Sequence, residues 1–262
     1  MSERGEIRVL AERLARAAGA IQRERYETGF EIRTKSAKID LVTEVDTACE
    51  RCIVDGIGAA RPDDAILAEE GSGADRPDAA WRWIIDPLDG TMNFAHGYPR
   101  FCVSIGVEQR GERAVGVVFD PLLDECFVAE RGTGATLNGR SIHVSEEAQI
   151  DRALLATGFA YDVHDSEDDN VERFGRFVKR ARGLRRDGSA ALDLCYVAAG
   201  RFEGYWEGKL HPWDVAAGNL IVEEAGGRIS DFAGDPPSGD GRETVASNGA
   251  IHEALLAGIA GD

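Results

Sequence analysis

Trp83-Ile84-Ile85-Asp86-Pro87-Leu88-Asp89-Gly90-Thr91-Met92-Asn93-Phe94 runs an apolar strand into two carboxylates three residues apart, then into a glycine and a hydroxyl residue that open a helix. Proline between the aspartates stiffens the turn and removes one N–H. Backbone N–H groups at Gly90 and Thr91, at a helix start, suit a phosphate. Two aspartates at a strand end suit a hard cation with oxygen ligands, such as Mg²⁺. By itself the stretch fits equally well an ordinary strand–turn–helix, with Asp89 as N-cap and Asp86 as turn former.

Two rival readings fail on spacing. A calcium loop needs alternating acidic residues and a glutamate at its twelfth position, and neither is present. Haloacid-dehalogenase-type phosphatases carry Asp-x-Asp-Gly-Thr, with a nucleophilic aspartate two residues before the second. Pro87 occupies that place here, so water is the expected nucleophile.

Three segments elsewhere in the chain supply what a metal-assisted hydrolysis needs. Ile66-Leu67-Ala68-Glu69-Glu70-Gly71 puts two carboxylates just past a strand. The polar run Lys35 to Asp40 leads through Leu41-Val42-Thr43 to a helix start at Glu44-Val45-Asp46, and Thr43 with Asp46 has the spacing of a capping pair. Trp213-Asp214-Val215-Ala216-Ala217-Gly218 sets a carboxylate in the first turn of a helix among small residues. Taken singly, Asp214 reads as a dipole partner and the glutamates as a solvated loop.

Around these segments the periodicity predicts helices over 4–26 and 44–60, buried strands over 65–68 and 81–85, and strands over 101–108, 114–119 and 126–129. Asn138-Gly139 marks a hairpin. Beyond residue 150 strands and helices alternate. Strands are expected at 154–156, 202–206, 228–230 and 244–246, and helices at 170–182, 190–199, 213–225 and 251–259. The expected fold class is α+β, in one unit spanning 1–262, with an α+β lobe over about 1–148 and an α/β lobe over 149–262.

The 262 residues include 30 Lys and Arg against 47 Asp and Glu, a net charge of −17. Such a chain repels nucleic acid and anionic lipid, so neither is an expected direct partner. The basic cluster Lys179-Arg180-Ala181-Arg182 with Arg185-Arg186 reads as a solvated helix face and its exit. An anionic substrate meets the same repulsion, so cations must come from somewhere. No apolar stretch is long enough to span a bilayer and the amino terminus is polar, which predicts a cytoplasmic protein. Five cysteines, an odd count without regular spacing, argue against a disulfide framework. Cys49 and Cys52 lie in a helical pattern and read as buried core thiols. The five histidines show no ligand-like spacing and read as structural or exposed.

Together the four acidic segments resemble the inositol monophosphatase family of Mg²⁺-dependent, lithium-sensitive phosphatases. Asp86 to Phe94 resembles the family's first signature. Trp213 to Gly218, with Glu224-Ala225-Gly226-Gly227, resembles its second. The likeness covers nearly the whole chain and implies a layered α/β/α/β/α sandwich and a homodimer. By position it implies that Glu69, Asp86 and the carbonyl of Leu88 hold a first ion, that Asp86, Asp89 and Asp214 hold a second, and that Glu69 also faces a third. Asp46 and Thr91 match the pair that orients the attacking water, with Glu70 beside them. Gly90 and Thr91 match donors to the phosphate, while Gly188, Ser189, Ala190 and Glu207 match contacts to substrate hydroxyls. Two or three Mg²⁺ ions would bring the four ligating carboxylates to zero or +2, which reconciles a phosphate substrate with an acidic chain.

Resemblance to the bacterial inositol-type branch implies myo-inositol 1-phosphate as substrate. Fructose 1,6-bisphosphate, histidinol phosphate and 3′-phosphoadenosine 5′-phosphate are handled by relatives. The nucleotide branch tends to have Lys-Glu where this chain has Met92-Asn93. A regulatory binding role is the alternative from another class, since some bacterial relatives assist transcription complexes. Loop 161–169 is expected to edge the pocket.

Overall fold

A computed structural model describes residues 2–34 and 41–261. The polar run 35–40 singled out in the sequence lies outside them. In chain order the elements are α1 (Glu3–Arg25), β1 (Ile32–Thr34), β2 (Leu41–Thr43), α2 (Glu44–Ala60), β3 (Ala65–Ala68), β4 (Trp81–Asp89), α3 (Thr91–Ala95), β5 (Cys102–Gln109), β6 (Glu112–Asp120), β7 (Glu125–Glu130), β8 (Gly134–Leu137) and β9 (Arg140–Ile142). There follow β10 (Leu154–Thr157), α4 (Val171–Val178), β11 (Gly183–Arg185), α5 (Ala190–Ala198), β12 (Gly204–Gly208), α6 (Pro212–Glu224), β13 (Arg228–Ser230), β14 (Glu243–Ser247) and α7 (His252–Ala260).

Helix α1 starts on Ser2, whose hydroxyl accepts from Gly5 N, and turns Ile7, Leu10, Leu14 and Ala18 to one buried face. It packs with α2 on one side of a seven-stranded sheet of order β3-β4-β5-β6-β7-β8-β9. Helices α5 and α6 fill the space between that sheet and a five-stranded one of order β11-β10-β12-β14-β13. Helices α4 and α7 cover the far side, over Leu155, Phe177, Trp206, Val245 and Leu255. The result is an α+β sandwich of five layers, α/β/α/β/α. Strand β5 is buried on both faces over Cys102–Val107 because helices cover both, which explains a continuous apolar run where a one-faced strand would alternate.

Two glycines let the middle layers close. Gly106 and Gly116 face each other on β5 and β6. A Cβ at Gly106 would lie 2.6 Å from the Ala216 side chain, and one at Gly116 would lie 2.7 Å from the Ala217 carbonyl. Helix α6 therefore rests on a patch of bare sheet backbone, which fixes the depth of Asp214 in its first turn.

The second lobe departs from expectation at one helix. Residues 170–182 hold only α4, ending at Val178, because Gly183–Arg185 leave to pair parallel with β10. Tertiary pairing outweighs local helical periodicity there. The basic cluster is thus not one helix face. The short antiparallel β1–β2 ribbon is not predicted by the periodicity. Cys49 is fully buried as expected, whereas Cys52 is only partly so. Among the described residues no helix is long and apolar enough to cross a membrane.

Candidate active site

Strand β4 ends irregularly. Its pairing with β5 slips between Asp86, opposite Ser104, and Asp89, opposite Cys102, so that one extra residue bulges from the ladder. Pro87 tolerates that position because it has no N–H to lose. Leu88 N donates to Asp86 Oδ1 at 2.9 Å, closing the turn. Gly90 then takes φ 96°, and a Cβ there would lie 2.7 Å from the Arg100 carbonyl. Only glycine fits that corner. Thr91 follows as the first residue of α3, with Oγ1 2.9 Å from Asp46 Oδ1 and 3.0 Å from the Leu88 carbonyl.

Asp46 comes from the capping box of α2. Its Oδ2 accepts from Thr43 N at 2.9 Å and from the Thr43 hydroxyl. One turn on, the fully buried Glu50 accepts from Glu70 N at 2.7 Å and Ser72 N at 2.8 Å. Glu50 thereby holds the loop that carries Glu69. The sequence reading missed it, although its position four residues after Asp46 places it on the same helix face.

The second lobe closes the site. Asp89 Oδ2 accepts from Ser189 Oγ at 2.6 Å and from Ala191 N at 2.8 Å, at the start of α5. Asp214 Oδ2 accepts from His211 N at 2.7 Å, and the His211 ring stacks on Trp213. Glu207 lies against Gly158, where any Cβ would strike its carboxylate, and it accepts from the Tyr205 hydroxyl at 2.6 Å.

Most of these residues meet at one open cleft. Glu69, Asp86, Leu88, Asp89, Gly90, Thr91, Gly188, Ser189, Ala190, Glu207 and Asp214 all line it. Asp46 does not; it is fully buried behind Thr91 and reaches the cleft only through that hydroxyl. Of loop 161–169, Tyr161 lines the cleft, while Asp162 and Ser166 each bind Lys209 Nζ at 2.7 Å. Arg186, from the basic cluster read as solvated surface, also lines it, as do Lys209 and His211. No spacing signal marks those three in the sequence.

Electrostatics set the site apart from an ordinary turn. Burial, followed by the charges of Glu69, Asp89 and Asp214, pushes the Asp86 carboxyl well above its usual range. Burial and Asp89 do the same to Asp214. Asp89 is also raised by burial, against the pull of its donors Ser189 and Ala191. Burial lifts Asp46 to about 6, despite hydrogen bonds from Thr43 and Thr91, and lifts Glu207 to about 7. Burying a carboxylate costs several kcal/mol per ion unless a cation or a proton compensates. The donor set is all oxygen, which fits Mg²⁺ and excludes soft metals. Among the described residues no three His, Cys, Asp or Glu side chains meet at a single metal-binding point. Mg²⁺ does not require that, since it binds through one or two carboxylates and keeps several waters.

Two stacked sheets whose strand ends and helix starts turn acidic side chains into a shared cleft define the layered sandwich of the sugar-phosphatase class. The chain matches the Inositol monophosphatase family over residues 3–261 and belongs to that family. An inositol-1-monophosphatase of Synechocystis is 46% identical over 230 residues, covering 88% of this chain and 80% of that protein. The Nus factor SuhB of Pseudomonas aeruginosa is 44% identical over 264 residues, covering 95% of this chain and 94% of that protein. An inositol monophosphatase structure from Anabaena superposes with a TM-score of 0.90 at 40% identity, over 99% of this chain and 97% of that one.

Proposed function

We propose that the chain is a Mg²⁺-dependent phosphomonoesterase that releases inorganic phosphate from myo-inositol 1-phosphate and related polyol phosphates. The observation that carries this reading is the convergence of Glu69, Asp86, Asp89 and Asp214, from three separate segments, on one cleft beside the Thr91–Asp46 pair. Glu69, Asp86, Asp89, Asp214 and the Leu88 carbonyl would hold two or three ions. Bound Mg²⁺ supplies positive charge for the phosphate and the leaving alkoxide, and makes water acidic enough to serve as nucleophile near neutral pH.

The chain's own groups supply orientation. With its hydrogen given to Asp46 Oδ1, Thr91 Oγ1, which lines the cleft, keeps lone pairs that can accept from a water there. A hydroxyl is too weak a base to work alone, and Asp46 behind it is the proton acceptor of the pair. Gly90 and Thr91 sit at the start of α3, where backbone amides lack intrahelical acceptors and can meet phosphate oxygens. Ser189, Ala190 and Glu207 face the polyol, with Glu207 as the hydroxyl acceptor. Residues from both sheets contribute, so lobes 1–148 and 149–262 act as one unit. The family reading carries a cytoplasmic homodimer with it, checked by sedimentation.

A second reading, a regulatory binding role, has the SuhB relatives in its favour. Phosphate release from a panel of inositol, sugar, histidinol and nucleotide monoesters, with Mg²⁺ and with chelator, tests both. Activity on inositol phosphate that Asp89→Asn abolishes supports the enzyme reading. Inertness of the wild type on the whole panel ends it.

A further inference from the structure

Helix α1 has an apolar buried face with a polar residue in line with it. Gln22 continues the series Leu14, Ala18 and is fully buried. Periodicity alone would put leucine or isoleucine there. Its side-chain Nε2 instead crosses to the sheet and donates to the Pro87 carbonyl at 2.8 Å and to the Cys102 carbonyl at 3.3 Å.

The Pro87 carbonyl lies within the bulge in β4, where the ladder slips between Asp86 and Asp89, and the Cys102 carbonyl belongs to the β5 residue opposite Asp89. A buried carbonyl without a partner is costly, because it gives up its bonds to water and gains nothing in return. The arrangement has its own cost, because Gln22 Oε1 is buried with no hydrogen-bond partner among the described residues. A methionine of similar volume would remove that unmet oxygen but would take the donor away from the Pro87 and Cys102 carbonyls.

The bulge matters through one peptide unit. The Pro87 carbonyl and the Leu88 N–H belong to the same trans peptide and point in opposite directions. Gln22 holds the oxygen, while Asp86 Oδ1 accepts from the N–H at 2.9 Å. The peptide is gripped at both ends, so a residue on α1 fixes both the Asp86 carboxylate and the direction in which the chain carries the Leu88 carbonyl. We propose that Gln22 is a positioning residue for the Asp86–Leu88 metal-binding turn. This rests on the metal reading of Asp86 and Leu88 given above.

The test compares wild type, Gln22→Met, and Leu10→Ala as a packing control on the same helix face. Mn²⁺ binding is measured by electron paramagnetic resonance without substrate, alongside Tm and the KM for inositol 1-phosphate at saturating Mg²⁺. The inference expects Gln22→Met to bind Mn²⁺ about tenfold more weakly, the usual effect of losing a group that orients a metal ligand. KM stays within about twofold, and Leu10→Ala loses Tm but keeps wild-type affinity. Gln22→Met with wild-type Mn²⁺ affinity makes Gln22 merely structural and overturns the proposal. A wild type that binds no Mn²⁺ overturns the metal reading itself and this inference with it. Should Gln22→Met fail to fold, the side-chain amide protons of Gln22 are followed by NMR in the wild type. A shift on Mg²⁺ titration supports the role, and unchanged positions overturn it.

Discussion

Ser189 Oγ donates to Asp89 Oδ2 at 2.6 Å across 100 residues of sequence, tying the start of α5 to the end of β4. With Ala191 N at 2.8 Å, it supplies the hydrogen bonds that hold the Asp89 carboxylate toward its charged form against burial. Ser189→Ala removes one of these donors without changing the cleft's shape. Calorimetric titration is expected to show Mg²⁺ affinity falling about tenfold, while kcat at saturating Mg²⁺ falls much less. A kcat loss with unchanged metal affinity would assign Ser189 to the substrate alone.

Asp46 gives the proposed reaction its acid limit. Its folded pKa is raised to about 6, so it is ionised and able to take a proton above that pH and is neutral below it. Wild-type kcat/KM should fall about tenfold per unit as pH drops below about 6. In Asp46→Asn this limb should vanish, with the plateau about 10²–10⁴-fold lower. A retained limb in the variant would assign the titration to another group.

The chemistry of this site was more legible than its support. Asp86, Asp89 and Asp214 stand out because carboxylates at strand ends and helix starts are visible as local pattern. Glu50, Gln22 and the Gly106–Gly116 patch are not, because each acts through a partner in a distant segment. Gln22 even runs against the local rule, since its buried amide answers a bulge 65 residues away. Helix α4 shows the same limit: 170–182 has helical periodicity throughout, yet Gly183–Arg185 pair with β10, and Arg186 reaches the cleft as a result. Periodicity reports a segment's preference, and the neighbouring strand decides the outcome.

The bare patch under α6 makes a packing prediction with a functional readout. In Gly106→Ala the new methyl meets the Ala216 side chain at 2.6 Å, and the backbone of Ala216 and Ala217 stands at 3.1 Å behind it. Helix α6 must move outward, carrying Asp214. Thermal unfolding should show a loss of about 1–3 kcal/mol, and Mg²⁺ affinity should fall with it. Lost stability at unchanged affinity would mean that the α6 start is fixed by the His211–Asp214 hydrogen bond and by the Ser104 hydroxyl, which donates to the Trp213 carbonyl at 3.3 Å, rather than by the Gly106–Gly116 patch.

One half-buried group and one buried group pull the pH dependence of stability in opposite directions. Glu207 has its folded pKa raised from 4.5 to about 7, chiefly by burial, so the native state keeps a proton that the unfolded chain releases. Its contribution is fully present below about 4.5 and is lost as pH rises through 7. His252, packed between the hydroxyls of Ser230 and Ser247, is lowered from 6.5 to about 4 by burial. The unfolded chain binds that proton first, so stability is lost as pH falls below about 6.5. Stability of the chelated protein should therefore fall on the acid side through His252 and fall as pH rises through about 7 through Glu207, with Asp86 and Asp214 adding loss of the same sign as Glu207. Glu207→Gln should flatten part of the alkaline decline, by about 1 kcal/mol given the group's partial exposure, or roughly 2–4 °C in Tm. Mg²⁺ should remove the share due to Asp86 and Asp214, because bound ligands stay ionised, and should leave the His252 limb unchanged. Melting curves from pH 5 to 8, with EDTA and with Mg²⁺, separate the three. An alkaline decline that Mg²⁺ leaves intact would place the strain away from the proposed metal ligands.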